Sequence, residues 1–449
     1  MDVHRMRSLL GQQADVWWGQ GAGEPVSLVD TLLDVSEAQK NRQTAAPAAR
    51  AFSGLSLNPR LGRPLPDSLE LLSYGALGQL RWPAAAGRLE VIPAHYSALP
   101  RLFARGLLPT DIGLVQVSAP GPDGRVSLGV AVDYMADAWA HTRTLVAEIN
   151  HAMPITRDAP TLPLDAFAAT VEVDRPLAEM VFRAPDRVDR AIAGHVAGLI
   201  DDGSTLQLGV GSLPDAVLSA LADHRDLGFH SGMITDSVLD LVESGVATGA
   251  RKEVDPGLVT TGSALGSTAL YDRLGPDGPV SFRPVSHTHH PAVLAQLRGL
   301  VSINSALAVD LSGQVGAERA GGRWLGAIGG QADFSRAAAQ TGARSIIALR
   351  STNQGASTIQ TALDAGLVTT ARADVDIVAT EHGIAELAGA TEAEIARRLI
   401  AIAAEEHREG LTQAAVASGV LPHTQRLGGG SATHGARRNG QYNTREVSA

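Results

Sequence analysis

The stretch TLQLGVGSLPDAVL, residues 205–218, decides the fold class of this chain. Residues 205–210 read as a strand. The glycine turn GVGSLP, residues 209–214, follows directly. Pro214 suits the first turn of a helix, and we predict that helix over residues 215–221. A strand that runs through a glycine turn into a helix is typical of an α/β protein with buried parallel strands.

A second segment near the N-terminus has the same order of elements. The run DVWW, residues 15–18, reads as a strand and leads into the turn GQGAGEP, residues 19–25. Apolar residues then recur with helical spacing from Val26. Because the two glycine turns resemble each other, we predict two α/β halves with related plans, residues 1–180 and 181–423.

The remaining chain fits this division. Further buried strands are predicted at residues 112–117, 145–149, 345–349 and 375–379. The residues before 205 read as a helix that begins at Val188. Residues 172–185 contain two proline steps and suit a crossing between the halves. Residues 424–449 are polar and glycine-rich without periodicity, which predicts a disordered tail.

Composition excludes several classes of function. The formal net charge of the 449 residues is −10 and no basic stripe is present, which argues against a nucleic-acid partner. There is no cysteine, so disulfides, iron–sulfur clusters, thiolate zinc sites and thiol nucleophiles are excluded. Lys40 and Lys252 are the two lysines, and neither lies in the apolar setting of a Schiff-base lysine. Without a signal peptide or an apolar run of about 18 residues, no membrane is expected and the predicted location is the cytoplasm.

Glycine turns and one acid–imidazole pair are the candidate site features. Gly209 and Gly211 would let a ligand approach the backbone, or they serve a tight turn that only packing requires. The loop GGQADF, residues 329–334, could hold a carbonyl or pantetheine chain, or be an ordinary loop. Glu381 and His382 follow a predicted strand at its carboxyl end, as acid/base groups or as a capping pair.

Two other motifs carry less weight. The run HTHH, residues 287–290, has the look of a metal cluster, but no carboxylate follows within the next 19 residues to complete it, and we predict no metal. No GxSxG motif is present, which argues against an α/β-hydrolase esterase.

Several ordered motifs together resemble the acetyl-CoA hydrolase/transferase family, which includes acetate, butyrate and 4-hydroxybutyrate CoA-transferases. The resemblance covers residues 16–408. Its clearest passages are LPRLF (99–103), VQVSAPGPDGRVSLGVAVDY (115–134), LGVGSLPDAVL (208–218), INSALAVDLSGQVGAE (303–318), GGQADF (329–334) and ATEHGIAEL (379–387).

The resemblance implies a fold of two similar open α/β halves and a ping-pong reaction. In that reaction a glutamate attacks an acyl-CoA thioester, and CoA then passes through a glutamyl thioester to a second carboxylate. The substrate implied is acyl-CoA with a small-molecule acceptor, and a homo-oligomer is expected. By the same resemblance, the residues along the CoA and beside the thioester would be Gln207, Gly209, Gly211, Gly329, Gly330 and Gln331.

The chain departs from the family pattern at the nucleophile. Where the family reads H-[ST]-E-M, this sequence reads His230-Ser231-Gly232-Met233, so Gly232 occupies the position of the glutamate. Glycine has no side chain and cannot form the anhydride. Loss of a nucleophile in a well-studied hydrolase lowers turnover on the order of 10⁴ to 10⁶, which would leave ordinary CoA transfer negligible.

Three interpretations remain open at this stage. Another carboxylate, such as Glu381, replaces the nucleophile or activates water. Alternatively, an acyl group passes directly from CoA to an amine or hydroxyl, with His230 or Glu381 as base. In the third interpretation the chain binds an acyl-CoA or a partner subunit and catalyses nothing.

Overall fold

The computed structural model describes residues 8–9, 14–38 and 49–422. The predicted tail, residues 424–449, lies outside these residues. Within the described ranges, no helix combines the length and the apolar composition needed to cross a bilayer.

The first half is built on a sheet of seven parallel strands. In spatial order they are β4-β3-β2-β1-β5-β6-β7. Their bounds are β1 Ala14–Trp18, β2 Ala49–Phe52, β3 Leu69–Ser73, β4 Leu89–Val91, β5 Ile112–Val117, β6 Thr144–Asn150 and β7 Phe167–Val173.

The second half repeats this plan and adds one strand. The order is β11-β10-β9-β8-β12-β13-β14-β15, parallel except for the edge strand β15. The bounds are β8 Thr205–Leu208, β9 Gly228–Ile234, β10 Val259–Ala264, β11 Val280–Phe282, β12 Leu300–Ser305, β13 Arg344–Ala348, β14 Ile377–Thr380 and β15 Gly383–Glu386. In both sheets the first strand of the half is fourth in order, so the predicted internal similarity is present in the topology.

Helices cover the sheets and short strands pair in the loops. The α-helices are α1 Val26–Ala38, α2 Arg81–Ala85, α3 Leu99–Ala104, α4 Met135–Trp139, α5 Arg187–Ala197, α6 Ser212–Ala220, α7 Asp236–Glu243, α8 Thr268–Asp272, α9 Val285–Thr288, α10 Pro291–Leu294, α11 Gln331–Thr341, α12 Glu392–Ala401 and α13 Glu405–Ala417. Single 3-10 turns lie at Gly21–Gly23, Pro59–Gly62, Tyr96–Ala98, Leu164–Ala166 and Arg372–Asp374. The short strands are Arg125–Ser127, Thr161–Pro163, Ala308–Asp310, Val315–Gly316, Arg319–Ala320, Arg323–Trp324, Thr352–Asn353, Ala356–Ser357 and Ile359–Gln360.

The segment that predicted the fold class forms the elements expected of it. The strand β8 ends at Leu208, two residues earlier than predicted, and α6 begins at Ser212, three residues earlier. The reason is local: Gly211 has φ +135°, which a residue with a side chain rarely adopts, and it turns the chain into α6. Pro214 therefore lies in the first turn of the helix, where its missing N–H leaves no hydrogen bond unmade.

The two halves meet with the carboxyl ends of their central strands facing each other. A bridge pairs Gly75, just beyond β3, with Ala327 of the second half. A second bridge joins Ala131 to Ser263 in β10, and the N–H of Val132 donates to the carbonyl of Gly262 over 2.9 Å. In open parallel sheets the carboxyl ends of the central strands are where ligands bind, so the contact between the halves encloses two such edges.

Candidate active site

A cavity of about 270 Å³ lies between the two sheets. The second half contributes the turn after β8, Gly232 and Met233 in β9, and the start of α11. The first half contributes residues that follow β1 and β3 together with Asp133. Side chains and glycines from both halves therefore line one cavity at the topological switch points of the sheets.

Five of the six residues predicted to contact CoA line this cavity together with Gly232. They are Gln207, Gly209, Gly329, Gly330 and Gln331. Gly211 is not among the lining residues; it precedes α6, and Val210 faces the cavity instead. The turn after β8 and the GGQ loop, which are more than 100 residues apart in the chain, thus meet at one site.

The glycines of the turn and of the GGQ loop leave the backbone accessible. A Cβ placed on Gly209 would have no atom within 4 Å, and the same holds for Gly329, which has φ +56°. A ligand can therefore approach the main chain closely at both positions. The carbonyl of Gly329 accepts from the N–H of Tyr96 over 2.9 Å, which ties the loop to the first half.

Gln207 is fixed by its neighbours in β12. Its Oε1 accepts from Ser302 Oγ at 2.8 Å and from Asn304 Nδ2 at 3.1 Å, and its Nε2 donates to Asn304 Oδ1 at 3.1 Å. These buried amides are paired with each other. Gln207 and Asn304 therefore present a rigid polar surface at the carboxyl ends of β8 and β12.

The first half supplies a wall of hydrogen-bonded polar side chains. Gln20 is its centre: Oε1 accepts from Tyr74 Oη at 2.8 Å and from the N–H of Leu55 at 3.0 Å. Nε2 of Gln20 donates to Tyr96 Oη at 2.7 Å and to Asp133 Oδ2 at 2.9 Å. All four polar side chains of this wall are buried, so each depends on the others for its hydrogen bonds.

Asp133 is the charged member of this wall. Burial raises the pKa of its carboxyl to about 6, against the hydrogen bonds from Gln20, Ser263 and Tyr96, which favour the charged form. Its backbone has φ +39°, an uncommon conformation that aspartate tolerates better than most residues. A Cβ on Gly262 would lie 2.6 Å from Asp133 Oδ1 and 2.9 Å from the carbonyl oxygen of Gly232, so this carboxylate adjoins the strand that carries Gly232.

The imidazole of His289 fills the space beside Gly232. A Cβ on Gly232 would lie 2.8 Å from Cε1 and 3.1 Å from Nε2 of that ring. A Cβ on Gly330 would lie 2.3 Å from the same Nε2. The ring therefore requires glycine at both positions, and it lines the cavity between them.

His230, a predicted catalytic residue, is placed behind the cavity wall. It is fully buried in β9, and its Nε2 donates to the carbonyl of Thr288 at 3.0 Å. Burial lowers the pKa of His230 to about 3, so the ring is neutral. It holds the main chain next to His289, and a direct part in the reaction stays a prediction.

Glu381, the other predicted catalytic residue, lies at the same edge of the second sheet but away from Gly232. It follows β14, which is four strands from β9, or about 19 Å at the usual strand spacing. Its carboxylate accepts from the hydroxyl of Ser351 at 2.7 Å and from the N–H of Ser351 at 2.9 Å. Nε2 of His382 lies 4.0 Å from the carboxylate. The structure does not bring Glu381 to the cavity, and its catalytic role stays a prediction.

The histidines of the HTHH run face different surroundings. Nε2 of His287 lies 2.8 Å from Asp255 Oδ2, His289 faces the cavity, and Nδ1 of His290 accepts from the N–H of Ala292 at the start of α10. Among the described residues, no three His, Asp or Glu side chains are grouped as metal ligands. The run therefore contributes one imidazole to the site and two to local structure.

Sequence reasoning missed the first-half wall and His289 as parts of the site. Gln20 lies in the glycine turn after β1, and Asp133 lies in the segment 115–134 that resembles the family. His289 was seen only as part of a metal-like run. A polar residue inside a glycine turn at a switch point was the available signal for Gln20; nothing local distinguishes His289 from its neighbours.

Most of the chain is similar to known proteins. The sequence profile of the acetyl-CoA hydrolase/transferase N-terminal domain matches residues 1–171, and that of the C-terminal domain matches residues 266–415. The 4-hydroxybutyrate coenzyme A transferase of Clostridium kluyveri is 39% identical over 416 residues, which cover 90% of this chain and 94% of that protein.

Solved structures agree in fold. RipA from Yersinia pestis aligns with a TM-score of 0.83 at 29% identity, over 94% of this chain and all of that one (100%). The 4-hydroxybutyrate CoA-transferase from Porphyromonas gingivalis aligns with a TM-score of 0.71 at 31% identity, over 92% of this chain and 96% of that one. Together with the two matched domains and the paired sheets, these likenesses show that the chain belongs to the acetyl-CoA hydrolase/transferase family.

Proposed function

We propose that this chain is an enzyme that binds an acyl-CoA in the cavity between its halves and moves the acyl group directly to a small-molecule acceptor. The route would not pass through a glutamyl anhydride. Support comes from the family, whose relatives include named CoA-transferases, and from the meeting of both glycine loops with Gly232 at one cavity. The loops would hold the CoA side of the thioester, and the cavity would take its acyl end.

The main observation in favour of direct acyl transfer is that Gly232 stands at the position of the family's nucleophilic glutamate. Gly232 lines the cavity without a side chain, and an imidazole fills the space into which a Cβ would project. The carboxylate that does line the cavity, Asp133, is surrounded by hydrogen-bond donors, and each donor lowers the nucleophilicity of its oxygens. A covalent carboxylate intermediate is therefore disfavoured on the described walls.

Mass spectrometry with a thiol assay tests this proposal. The purified protein is incubated with acetyl-, butyryl- or succinyl-CoA, and free CoA and the intact protein mass are followed together. We expect CoA release without a stable acyl or CoA adduct on the protein. An adduct lost in Asp133→Asn would contradict the direct route, because it would identify a carboxylate nucleophile. Binding without release would instead favour an acyl-CoA-binding protein.

The Gly232→Glu variant is the informative companion. Because the new Cβ would collide with His289, we expect Gly232→Glu alone to gain little CoA transfer to acetate. The double variant Gly232→Glu/His289→Ala removes the ring and is expected to form the covalent CoA adduct. Transfer activity in the double variant above that of the single one would show that the site still orients a thioester toward residue 232.

A further inference from the structure

His289 stands out as a buried imidazole that the family resemblance does not assign to the site. Only 3% of the residue is exposed. Its ring forms T-shaped contacts with the rings of Tyr96 and Phe334, and each pair of ring centroids is 4.9 Å apart. These contacts come from both halves of the molecule and fix the plane of the imidazole.

The hydrogen bonds of Thr288 determine which ring nitrogen of His289 carries the proton. The hydroxyl of Thr288 lies 3.2 Å from the carbonyl oxygen of Pro284 and 2.9 Å from Nδ1 of His289. A carbonyl oxygen only accepts, so the hydroxyl satisfies both partners when it donates to Pro284 and accepts from Nδ1–H. The proton therefore lies on Nδ1, and Nε2 carries a lone pair.

That lone pair faces the cavity. Nε2 lies between the backbones of Gly232 and Gly330, close enough to each that a side chain at either position would collide with it. No described residue donates a hydrogen bond to this nitrogen. Burial lowers the pKa of His289 to about 3, so the ring remains neutral and able to accept at neutral pH.

We propose that His289 is the general base of the reaction and that its Nε2 takes the proton of a hydroxyl or water acceptor bound in the cavity in front of the ring. This inference rests on the proposed function and names the group that replaces the missing carboxylate. Of the described residues that line the cavity, Asp133 is the one with a carboxylate, and none is Lys or Arg. A neutral acceptor therefore fits this space better than a carboxylate, which would find no cation to pair with.

The step balances without a further reactant. The acceptor O–H gives its proton to Nε2 as its oxygen bonds to the thioester carbonyl carbon, which forms a tetrahedral intermediate. The intermediate then collapses, the C–S bond breaks, and the imidazolium returns the proton to the leaving thiolate. The products are free CoA and an ester, or a carboxylic acid when water is the acceptor. The imidazolium forms only beside the negative intermediate, and this opposite charge stabilises it against the burial that lowers its pKa.

Geometry favours a base over a covalent role for this ring. Nε2 lies 3.1 Å from the point at which a Cβ of residue 232 would stand, near the root of the absent side chain. A hydrogen bond to an acceptor oxygen, roughly 2.6–3.2 Å long, would put that oxygen further into the cavity, where a thioester can meet it. His230 cannot take this place, since its Nε2 is engaged with the Thr288 carbonyl.

The test separates binding from chemistry in the full-length protein. Acetyl-CoA is the probe, with water, ethanol and hydroxylamine as acceptors, and calorimetry gives its Kd while a thiol assay gives the rate of CoA release. For His289→Gln we expect an unchanged Kd and a rate of CoA release about 100-fold lower, within the usual contribution of a general base. His287→Gln is the matched control, because that ring pairs with Asp255 away from the cavity, and it should keep both values.

Chemical rescue by added imidazole distinguishes the loss of a base at position 289 from a structural effect of the substitution. His289→Gly leaves the volume of the ring empty, and added imidazole is expected to restore CoA release in this variant but not in His289→Gln. Wild-type rates in His289→Gln, or a His289→Gly protein that binds acetyl-CoA but is not rescued, would overturn the assignment. If the wild-type protein releases CoA and His289→Gln does so at the same rate, only the base is disproved; if the wild-type protein binds acetyl-CoA but releases no CoA with any of the three acceptors, the proposed acyl transfer fails together with the base. If the wild-type protein does not bind acetyl-CoA, the proposed function itself fails.

Discussion

The two halves of this molecule share a strand order but build opposite kinds of cavity wall. The first half presents side chains, Gln20, Tyr74, Tyr96 and Asp133, that hydrogen-bond one another in a buried network. The second half presents exposed backbone at Gly209, Gly232, Gly329 and Gly330, beside the paired amides of Gln207 and Asn304. The same topology thus supplies a continuous side-chain network on one side and glycine positions that leave room for a ligand on the other.

This difference predicts that the walls separate stability from binding. A buried network loses stability when a member is removed, because its partners are left without hydrogen bonds. An open glycine such as Gly209 contacts no atom through its missing side chain, so a larger residue there should leave the fold intact and obstruct the ligand. Substitutions on the two walls should therefore change different measured quantities.

The largest expected effect is on the first-half wall. Gln20→Leu keeps the approximate size but leaves the N–H of Leu55 without its acceptor and removes one of the three side-chain donors to the carboxylate of Asp133. Each orphaned buried group costs about 1–3 kcal/mol, so we expect the free energy of unfolding to fall by about 2–4 kcal/mol. Urea unfolding followed by tryptophan fluorescence measures this, and it reports mainly on the first half because Trp17 and Trp18 lie in β1.

Gln296→Leu is the matched control for that variant. Its amide is exposed and donates only to the carbonyl of Ala292 one turn earlier in the chain. We expect a change within about 0.5 kcal/mol, as for most surface substitutions. Equal losses in the two variants would show that the first-half network does not stabilise the fold in the way that its hydrogen bonds indicate.

The second-half wall should respond in binding rather than in stability. Gly209→Leu places a branched side chain in open space at the predicted CoA contact. We expect the Kd for acetyl-CoA to rise about 10- to 100-fold, or roughly 1.4–2.7 kcal/mol, with an unchanged unfolding midpoint. Gly275→Leu is the control, since this loop glycine also has no atom near its missing Cβ but lies outside the cavity. A Kd for Gly209→Leu equal to that of the control would remove the turn after β8 from the CoA site.

Local sequence pattern predicted the parts of this comparison that depend on neighbouring residues. The strand at Ile112–Val117 matches the predicted residues, and the helix predicted from Val188 begins at Arg187. Apolar runs, capping residues and glycine turns act over a few residues, so a single sequence displays them. Local pattern does not predict the convergence of the β8 turn with the GGQ loop; the family resemblance implies it.

The rest of the site depends on contacts that no local pattern records. Gln20 and Asp133 are 113 residues apart in the chain and come into contact only in the folded protein. The packing of α9 and the residue after it against β9 brings His289 next to Gly232. The sequence alone does not show that the imidazole occupies the space of a side chain at position 232. Glu381 was predicted from its place after a strand, but the strand order of the sheet puts four strand spacings between it and Gly232.

The smallest expected effect is a change in the pH dependence of stability that comes from one titrating side chain of each wall. Burial raises the pKa of Asp133 from 3.8 to about 6 and lowers that of His289 from 6.5 to about 3. Because the pKa of Asp133 is raised in the folded state, its carboxyl contributes stability that is present at low pH and is lost as the pH rises through about 6. Because the pKa of His289 is lowered in the folded state, its imidazole contributes stability that is present above pH 6.5. This stability is lost as the pH falls toward 3, because the unfolded chain takes up the proton first. Between pH 7 and pH 5 the two walls therefore change stability in opposite directions.

Single variants should reveal these two contributions. On acidification from pH 7 to pH 5, Asp133→Asn should lose about 1 kcal/mol more stability than the wild type, since its carboxyl no longer gains a proton in the folded state. His289→Gln should lose about 2 kcal/mol less, since it no longer withholds a proton from the unfolded chain. Other titrating groups, including Glu24 and His230, are common to all three proteins and cancel in the comparison. Urea midpoints at pH 7 and pH 5 measure both differences. If the two variants differ from the wild type with the same sign, burial does not shift the pKa of one of these two side chains in the direction given above.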